Sequence, residues 1–483
     1  MKTENKKNNI PEGWAVTRLG EVAEVNALVI NKDYHFNEIE YIDVASVEDR
    51  KLLQTQKLVL KSAPSRARRI VQDNDILIST VRPNLKHFCF IKTSKPNLVA
   101  STGFAVVSAK RAAPYFLYNL LTTEKYTEYL TQIADTHTST YPAFNPEVIL
   151  NSKFLLPSLP EQHAIAAVLS SLDDKIELLR EQNKTLEAMA QAIYKRWFVD
   201  LEFPATEPKN SATIEDEQQP KADGVVFNTL QLKGYKSSGG KMVKSELGEI
   251  PEGWEVGKIK DLIDILPGFA FSSADFSKEG QYKLVTIKNV QDRYFNPKTK
   301  DNLKKLPKKM PDYCILESGD ILISLTGNVG RICLANGKDY LLNQRVAKLR
   351  PKNENDHAFT YLLFLQDSIF SLIQNTASGT AQQNLSPIQL KEINIIIADR
   401  KILDKFGIVA NKLIKKIKNN ISQIQTLSAL RDSLLPKLMS GKIRVPVKNE
   451  AETTPASYGC HPSLKGGELE ESGLISEKDE GNK

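Results

Sequence analysis

The chain has 483 residues, of which 41% are hydrophobic and 25% charged, a composition typical of a globular protein with roughly two to four domains. No apolar run approaches the roughly 20 residues of a membrane-spanning helix, and the polar residues 1–9 lack the apolar centre of a secretory signal. The four cysteines form no CxxC pair, so we expect neither a zinc site nor disulfides, and a cytoplasmic location. The net charge of +7 is compatible with a nucleic-acid partner without establishing one.

The chain contains an internal repeat. Residues 10–14 read IPEGW and recur at 250–254, and the DILIS segment at 75–79 recurs at 320–324. The common order of the matches and their nearly constant offset indicate a tandem duplication. Residues 26–73 and 266–318 match least, which is the pattern of one fold that presents two different recognition surfaces. Neutral drift of surface loops is the alternative explanation.

The two halves predict the same order of elements. The opening motif leads to a short amphipathic helix (Leu19, Val22, Val25; then Ile259, Leu262, Ile265). A strand-rich region follows, with DILIS as a buried strand. A helix over 115–133 or 359–373 then leads to an apolar strand, at 154–156 or 395–397, and finally to one long helix.

Both long helices carry a heptad seam, in which apolar or small residues recur at alternating steps of three and four. Each seam contains one asparagine, Asn183 or Asn420, and a buried asparagine prefers another asparagine as its partner. When these two are set opposite each other in an antiparallel pair, Trp197 faces Phe406 and only Leu172 against Arg431 is a poor match. Residues 159–201 carry a net charge of −2 and residues 399–441 a net charge of +6, so the helices also attract. The alternative is that each helix packs separately on its own domain.

Several longer motifs resemble the specificity subunits of Type I restriction–modification systems, and the resemblance covers nearly the whole chain. Its carriers are the paired IPEGW and DILIS segments, VRPNLK at 81–86, LPEQ at 159–162, RWFVD at 196–200, KSSGGK at 236–241 and LLPKLMSGK at 434–442. The resemblance implies a bipartite double-stranded DNA site, two methyltransferase (modification) subunits as partners, and two ATP-dependent restriction subunits in the full complex.

The repeat, the seams and this resemblance together predict an α/β (α+β) fold. Two tandem target recognition domains are each followed by a long helix, and the helices pair as an antiparallel coiled coil with pseudo-twofold symmetry. The predicted boundaries are 1–158 for the first domain, 159–201 for the central helix, 202–245 for a linker, 246–398 for the second domain, 399–441 for the C-terminal helix and 442–483 for a disordered tail.

Catalytic motifs are missing from the sequence. Asn145-Pro146-Glu147 and Asn296-Pro297-Lys298 lack the second proline of adenine methyltransferases, no glycine-rich loop is placed to hold a methyl donor, and no GxxxxGK[ST] motif exists for ATP. We therefore expect a non-catalytic binding module without a metal or cofactor. The rival interpretation is a coiled-coil scaffold whose globular halves bind proteins rather than DNA. A single-chain methylating enzyme is disfavoured by the missing donor loop.

The candidate DNA contacts are polar side chains in loops beside the paired strands, because arginine suits guanine, asparagine and glutamine suit adenine, and hydroxyl groups suit phosphate. Turn-forming residues that only satisfy the fold are the alternative for each. The first half offers Ser79, Thr80, Arg82, Asn84, Lys86, Ser139, Thr140 and Tyr141. The second half offers Thr326, Asn328, Arg331, Gln344, Arg345, Ser378, Thr380, Gln382 and Gln383.

Overall fold

The computed structural model describes residues 10–48, 50–137, 142–204, 233–377 and 383–446. In the first half the strands are β1 (Ala15–Arg18), β2 (Ala23–Val25), β3 (Glu38–Ile42), β4 (Val47–Glu48), β5 (Lys51–Leu52), β6 (Gln56–Val59), β7 (Ala67–Ile70), β8 (Ile76–Ser79), β9 (Phe88–Phe90), β10 (Leu98–Ser101), β11 (Phe104–Ala109) and β12 (Lys153–Leu156). The helices are α1 (Pro114–Leu121), α2 (Glu124–His137), α3 (Glu147–Asn151) and α4 (Leu159–Tyr194).

The second half repeats this order with additional short strands. Its strands are β13 (Met242–Ser245), β14 (Gly248–Pro251), β15 (Glu255–Lys258), β16 (Ile263–Pro267), β17 (Phe276–Ser277), β18 (Tyr282–Val285), β19 (Val290–Gln291), β20 (Tyr294–Phe295), β21 (Asn302–Leu303), β22 (Ile315–Leu316), β23 (Ile321–Ser324), β24 (Ile332–Leu334), β25 (Tyr340–Leu342), β26 (Val346–Pro351) and β27 (Asn394–Ile397). Its helices are α5 (Ile259–Leu262), α6 (His357–Phe364), α7 (Asp367–Thr376), α8 (Pro387–Lys391) and α9 (Arg400–Met439).

The sheets of the two halves have equivalent strand orders, which confirms the duplication. The sheet that packs against the helices, called the proximal sheet, has the order β2-β11-β8-β9 in the first half and β16-β26-β23-β24 in the second. The other sheet of each half, called the distal sheet, has the order β6-β3-β10-β7 in the first half. In the second half the equivalent order is β21-β18-β25-β22, with β17 added at the edge beside β21. The central pair of each distal sheet, β3 with β10 or β18 with β25, is parallel. Strands β1 and β12, and likewise β15 and β27, form a separate antiparallel pair at the base of each half.

The DILIS strands lie between two apolar layers, which explains why all of their side chains between the initial aspartate and the final serine are apolar. Ile76 and Ile78 belong to the core that β8 shares with the helices, whereas Leu77 belongs to the core between the two sheets. Ile321 and Leu322 divide between the corresponding two cores of the second half. Because side chains alternate along a strand, a strand covered on both faces reads as a continuous apolar run.

Two of the predicted helices differ from the structure. The short amphipathic helix expected from Leu19 is a single turn that gives way at Ala23 to strand β2, and its repeat is the one-turn helix α5 followed by strand β16. The cause is tertiary, because β2 and β16 pair with β11 and β26 along the edge of the proximal sheet. The helix expected over 115–133, and its repeat over 359–373, is in each case two helices.

Helices α4 and α9 form the antiparallel pair that the seams predict. The Asn420 side-chain amide donates to the Asn183 side-chain oxygen at 2.9 Å, and the rings of Trp197 and Phe406 lie 5.7 Å apart between centroids. The poor match at Arg431 is resolved by a neighbour of Leu172, since the Arg431 guanidinium contacts the Asp173 carboxylate at 2.8 Å. With 36 and 40 residues, the helices are about 54 and 60 Å long at a rise of 1.5 Å per residue.

Each domain builds its core from both long helices. The first core contains Leu169 from the start of α4 and Leu438 from the end of α9. The second contains Leu403 from the start of α9 and Trp197 from the π-helical turn Lys195–Val199 that follows α4. After α9 the chain contacts the first domain again. The Arg444 guanidinium binds the buried Glu161 carboxylate and donates to the Glu12 carbonyl oxygen at 3.0 Å. The two helices are therefore structural members of both domains.

The described ends of the segment predicted as a linker, 202–245, pack on the second domain. The Phe203 ring stacks between those of Tyr235 and Trp254, at centroid distances of 4.6 and 5.2 Å. Strand β13 pairs with β14. Residues 442–446 of the predicted tail lie against the first domain through Arg444, and residues 447–483 lie outside the described part.

Trp197 offers a direct test of the helix–domain junction. Its side chain is buried between the second domain and Phe406, so we expect Trp197→Ala to lower the free energy of unfolding by about 3–5 kcal/mol through lost contacts and a cavity. Trp197→Phe is the matched control, because the indole N–H has no hydrogen-bond partner among the described residues and an aromatic ring still fills most of the site. Urea unfolding followed by circular dichroism compares the midpoints. Equal midpoints for alanine and wild type would contradict this junction.

Candidate nucleic-acid interface

In the first half, two of the predicted contacts have hydroxyl groups that bond within the fold. Ser79 and Thr80, at the end of β8, are buried. The Ser79 hydroxyl donates to the Val81 carbonyl oxygen at 2.8 Å, and the Thr80 hydroxyl donates to that of Gly103 at 3.0 Å. Hydroxyls used in this way hold the loop, and the contact of these two side chains with DNA stays a prediction.

The loop that follows β8 does present polar side chains. Arg82 and Asn84 are exposed, and Lys86 is half-buried with its ammonium 2.6 Å from the Glu124 carboxylate. Arg82 and Lys86 both have a left-handed backbone, with φ of 48° and 58°. This conformation is costly for residues other than glycine, and such strain concentrates at functional loops.

Backbone pairing joins this loop to the second predicted segment of the first half. The Arg82 N–H donates to the Pro142 carbonyl oxygen at 2.8 Å, and Val81 forms a β-bridge with Ala143. Residues 142–144 directly follow the predicted Ser139, Thr140 and Tyr141, which lie outside the described residues. The described residues that follow this segment, Pro142 and Ala143, therefore lie beside Arg82 and Val81.

The second half brings three predicted segments together at the equivalent place. Thr326 forms a β-bridge with Asn384, and its hydroxyl donates to the Asn384 side-chain oxygen at 2.9 Å. The Leu325 N–H donates to the Arg345 carbonyl oxygen at 3.0 Å, and the Gly327 N–H donates to that of Gln383 at 3.1 Å. Ser378, Thr380 and Gln382 lie outside the described residues. Gln383, which directly follows them in the sequence, is described and lies beside Gly327.

The exposed side chains of the second-half cluster are Asn328, Gln344, Arg345 and Gln383. Thr326 and Arg331 are half-buried, and the Arg331 guanidinium donates to the Gln291 side-chain oxygen at 2.7 Å. Ser324 is the repeat of Ser79, and its hydroxyl is likewise used inside the loop, as donor to Asn328 and acceptor from the Arg331 N–H. Each half thus has one polar loop cluster beside the carboxyl end of its DILIS strand.

Each DILIS strand begins with an aspartate that stabilises the turn before it. The Asp75 carboxylate accepts from the Gln72 N–H at 2.7 Å and from the Ser108 hydroxyl at 2.6 Å, and burial raises the pKa of Asp75. The Asp320 carboxylate accepts from the Glu317 N–H and pairs with Lys348, both at 2.8 Å. These carboxylates lie at the opposite end of the strand from the loop clusters and are structural.

Sequence reasoning missed a pair of equivalent arginines, Arg50 and Arg293. Both have left-handed backbones, with φ of 71° and 59°, and their N–H groups donate to the equivalent carbonyl oxygens of Phe88 and Ile332. The Arg50 guanidinium lies over the Tyr118 ring at 5.3 Å, whereas that of Arg293 approaches the Glu187 carboxylate of α4 at 3.7 Å. Alignment of the halves at the DILIS offset brings these arginines close to register, which is the signal that identifies them.

Within the described ranges, no group of three or more histidine, cysteine, aspartate or glutamate side chains is placed to hold a metal ion. Over the same part of the chain, no helix has the length and apolar character needed to cross a membrane.

Residues 11–188 and 251–423 match the family described as the Type I restriction modification DNA specificity domain. The chain belongs to this family. The match falls on both repeats, and each matched range runs from the IPEGW opening into the following long helix, so the family unit is one domain with most of its helix.

Individual members of the family are similar over nearly the whole chain. The Type I restriction enzyme HindI specificity subunit of Haemophilus influenzae is 26% identical over 471 residues, covering 89% of this chain and 99% of that protein. The MjaIX specificity subunit of Methanocaldococcus jannaschii is 25% identical over 452 residues, covering 90% and 95%. The crystal structure of the Type I restriction–modification S subunit from M. genitalium has the same fold, with a TM-score of 0.51 at 15% identity and coverage of 90% and 97%.

Proposed function

We propose that this chain is the specificity subunit of a Type I restriction–modification system, which recognises a bipartite double-stranded DNA site and assembles the modification and restriction subunits on it. The observation that carries the proposal is the repeated loop cluster. Two equivalent polar clusters lie beside equivalent DILIS strands, in domains held apart by one antiparallel helix pair. Two recognition domains related by an approximate twofold axis suit the recognition of two half-sites on one duplex.

The exposed side chains of the clusters are the proposed DNA contacts: Arg82 and Asn84 in the first half, and Asn328, Gln344, Arg345 and Gln383 in the second. Their guanidinium and amide groups match the hydrogen-bonding edges of guanine and adenine in the major groove. We include Ser139, Thr140, Tyr141, Ser378, Thr380 and Gln382 because the described residues beside them adjoin the clusters. Lys86, Thr326 and Arg331 position these loops through their own partners.

The chain recognises DNA without catalysing the reaction. This part of the proposal is supported by the missing methyl-donor and methyltransferase motifs, and by the curated relatives, which are named as specificity subunits of restriction enzymes. Two methyltransferase subunits supply methyl transfer, two restriction subunits supply ATP-dependent cleavage, and the complex works in the cytoplasm. The two domains are 1–158 and 246–398, each with the long helix that follows it.

Methyl transfer should require the partner subunits. We expect the purified chain with a radiolabelled methyl donor to leave DNA unmodified, and the same chain co-purified with its cognate methyltransferase subunits to methylate DNA. Incorporation of label is measured for both samples, with the methyltransferase subunits alone as the control. Label transferred by the chain alone, or by the methyltransferase subunits equally well without it, would contradict the proposal.

The two loop clusters should read separate half-sites. We expect Arg82→Ala to weaken binding by about 1–3 kcal/mol and to relax specificity at a position of the first half-site only, and Arg345→Ala to do the same at the second. Each variant is the control for the other. Competition binding with duplexes that carry changes in one half-site measures both effects. A uniform loss across all duplexes, accompanied by a weaker salt dependence, would instead assign these arginines to phosphates.

A further inference from the structure

A basic groove lies between the first domain and the end of α9. Its volume is about 1020 Å³, and the loop that carries Lys298 in the second domain reaches its rim. This is the upper size range of sites that hold small ligands or short peptide segments. Six cationic side chains line it (Arg50, Lys86, Lys125, Lys153, Lys298 and Arg431), against two carboxylates, those of Glu124 and Asp432.

Only part of the positive charge that lines the groove is neutralised by carboxylates of the folded chain. Lys86 and Arg431 are paired with carboxylates. Lys125 and Lys153 are exposed, and neither side-chain ammonium has an ion-pair or hydrogen-bond partner within the described ranges. Between the cations the floor is apolar and aromatic, with Phe154 packed edge-on against Tyr126 at a centroid distance of 5.1 Å. A ligand that fits both features is an acidic segment with interspersed apolar side chains.

The chain itself contains such a segment. Residues 468–480 read ELEESGLISEKDE, with six carboxylates against one lysine and with three apolar residues, Leu469, Leu474 and Ile475. Ser440 lines the groove, and the described chain ends at Pro446, only six residues later. The 21 residues between Pro446 and this segment span up to about 70 Å at 3.3–3.6 Å each, which is ample to reach a groove beside their starting point.

We propose that residues 468–480 bind in this groove within the same chain. The carboxylates of the segment lie against Lys125 and Lys153, and its apolar side chains cover Phe154 and its neighbours. Because Lys86 belongs both to the groove and to the loop that presents Arg82 and Asn84, the bound segment opposes the approach of DNA phosphates to that loop. Only this last consequence rests on the proposed function; binding of the segment does not.

Peptide binding tests the site without DNA. The full chain, shortened to end at Gly467 and held in complex with its methyltransferase subunits, is titrated with a fluorescent peptide of residues 468–480. We expect saturable binding that weakens with salt, and at least a tenfold loss with Lys125→Glu/Lys153→Glu. The control is Lys412→Glu/Lys415→Glu, an equal charge change at exposed lysines of α9 about 24 Å or more along the helix from Arg431. No binding, or equal losses in both variants, would overturn the proposal.

A cycle of DNA-binding measurements tests the competition. Removing residues 468–483 from the intact complex should raise its DNA affinity by about three- to tenfold at low salt, since the tethered segment competes at a high effective concentration. The same removal should have no effect when Lys125→Glu/Lys153→Glu is already present. If the groove variant weakens DNA binding equally with and without the segment, the groove contacts DNA and the tail assignment is wrong. Zero-length carboxyl-to-amine crosslinking of the intact chain should join 468–480 to Lys125 or Lys153, and crosslinks confined to other lysines would also refute it.

Discussion

Lengthening both long helices by four residues at facing positions should widen the gap between the two DNA half-sites by nearly two base pairs. Four residues add about 6 Å at 1.5 Å each, and a base pair rises about 3.4 Å. Four residues also make roughly one helical turn, so each domain stays almost in phase. In a seam with a period of 3.5 residues, an insertion of four produces a local stutter without breaking the helix.

The structure selects the insertion points. Asp173 and Asp174 of α4 contact the first domain, and Glu187 contacts the second, so the stretch after Leu178 is clear of both. On α9, Ser422 contacts the second domain, and the seam register places Gln425 opposite Leu178. We therefore insert after Leu178 and after Gln425. Both insertions are needed for the full effect, because each domain is packed on both helices.

Methylated-site mapping in cells that express the variant with its partners measures the gap. The half-site sequences should stay the same while the spacing increases, and the single insertions serve as controls with smaller shifts or reduced activity. An active double-insertion variant with the original gap would show that the helix pair does not set the spacing.

Exchange of residues 23–151 for the equivalent block of another family member should replace the first half-site and leave the second unchanged. These limits keep β2 together with β11, its partner in the proximal sheet. They leave in place the β1–β12 pair and both long helices. The block contains both sheets and the helices α1 to α3, so the side chains that form the loop cluster move as a unit.

The same site mapping reads out the exchange. Transfer of the reciprocal block, residues 263–391, is the matched control and should alter only the second half-site. If either exchange changed both half-sites in an active complex, recognition would not be divided between the two loop clusters.

The sequence by itself determined the duplication, the buried DILIS strands and the register of the helix pair. These features are encoded in local periodicity: continuous apolar runs for strands β8 and β23, and a seam in which the Asn420 amide can donate to the Asn183 side chain. A buried amide without a polar partner is costly, so a single asparagine in each seam was enough to fix which residues face each other.

The tertiary structure alone decided what each polar residue does. Ser79 and Thr80 have side chains suited to DNA, but their hydroxyls are taken up by carbonyl groups of their own and a neighbouring loop. The seam offered no partner for Arg431, yet Asp173 supplies one from the adjacent position. Such pairings depend on the directions of side chains and on strands distant in sequence, which periodicity does not encode. For the same reason, the ion pair between Arg444 and Glu161, which are 283 residues apart in the sequence, could be recognised only in the folded structure.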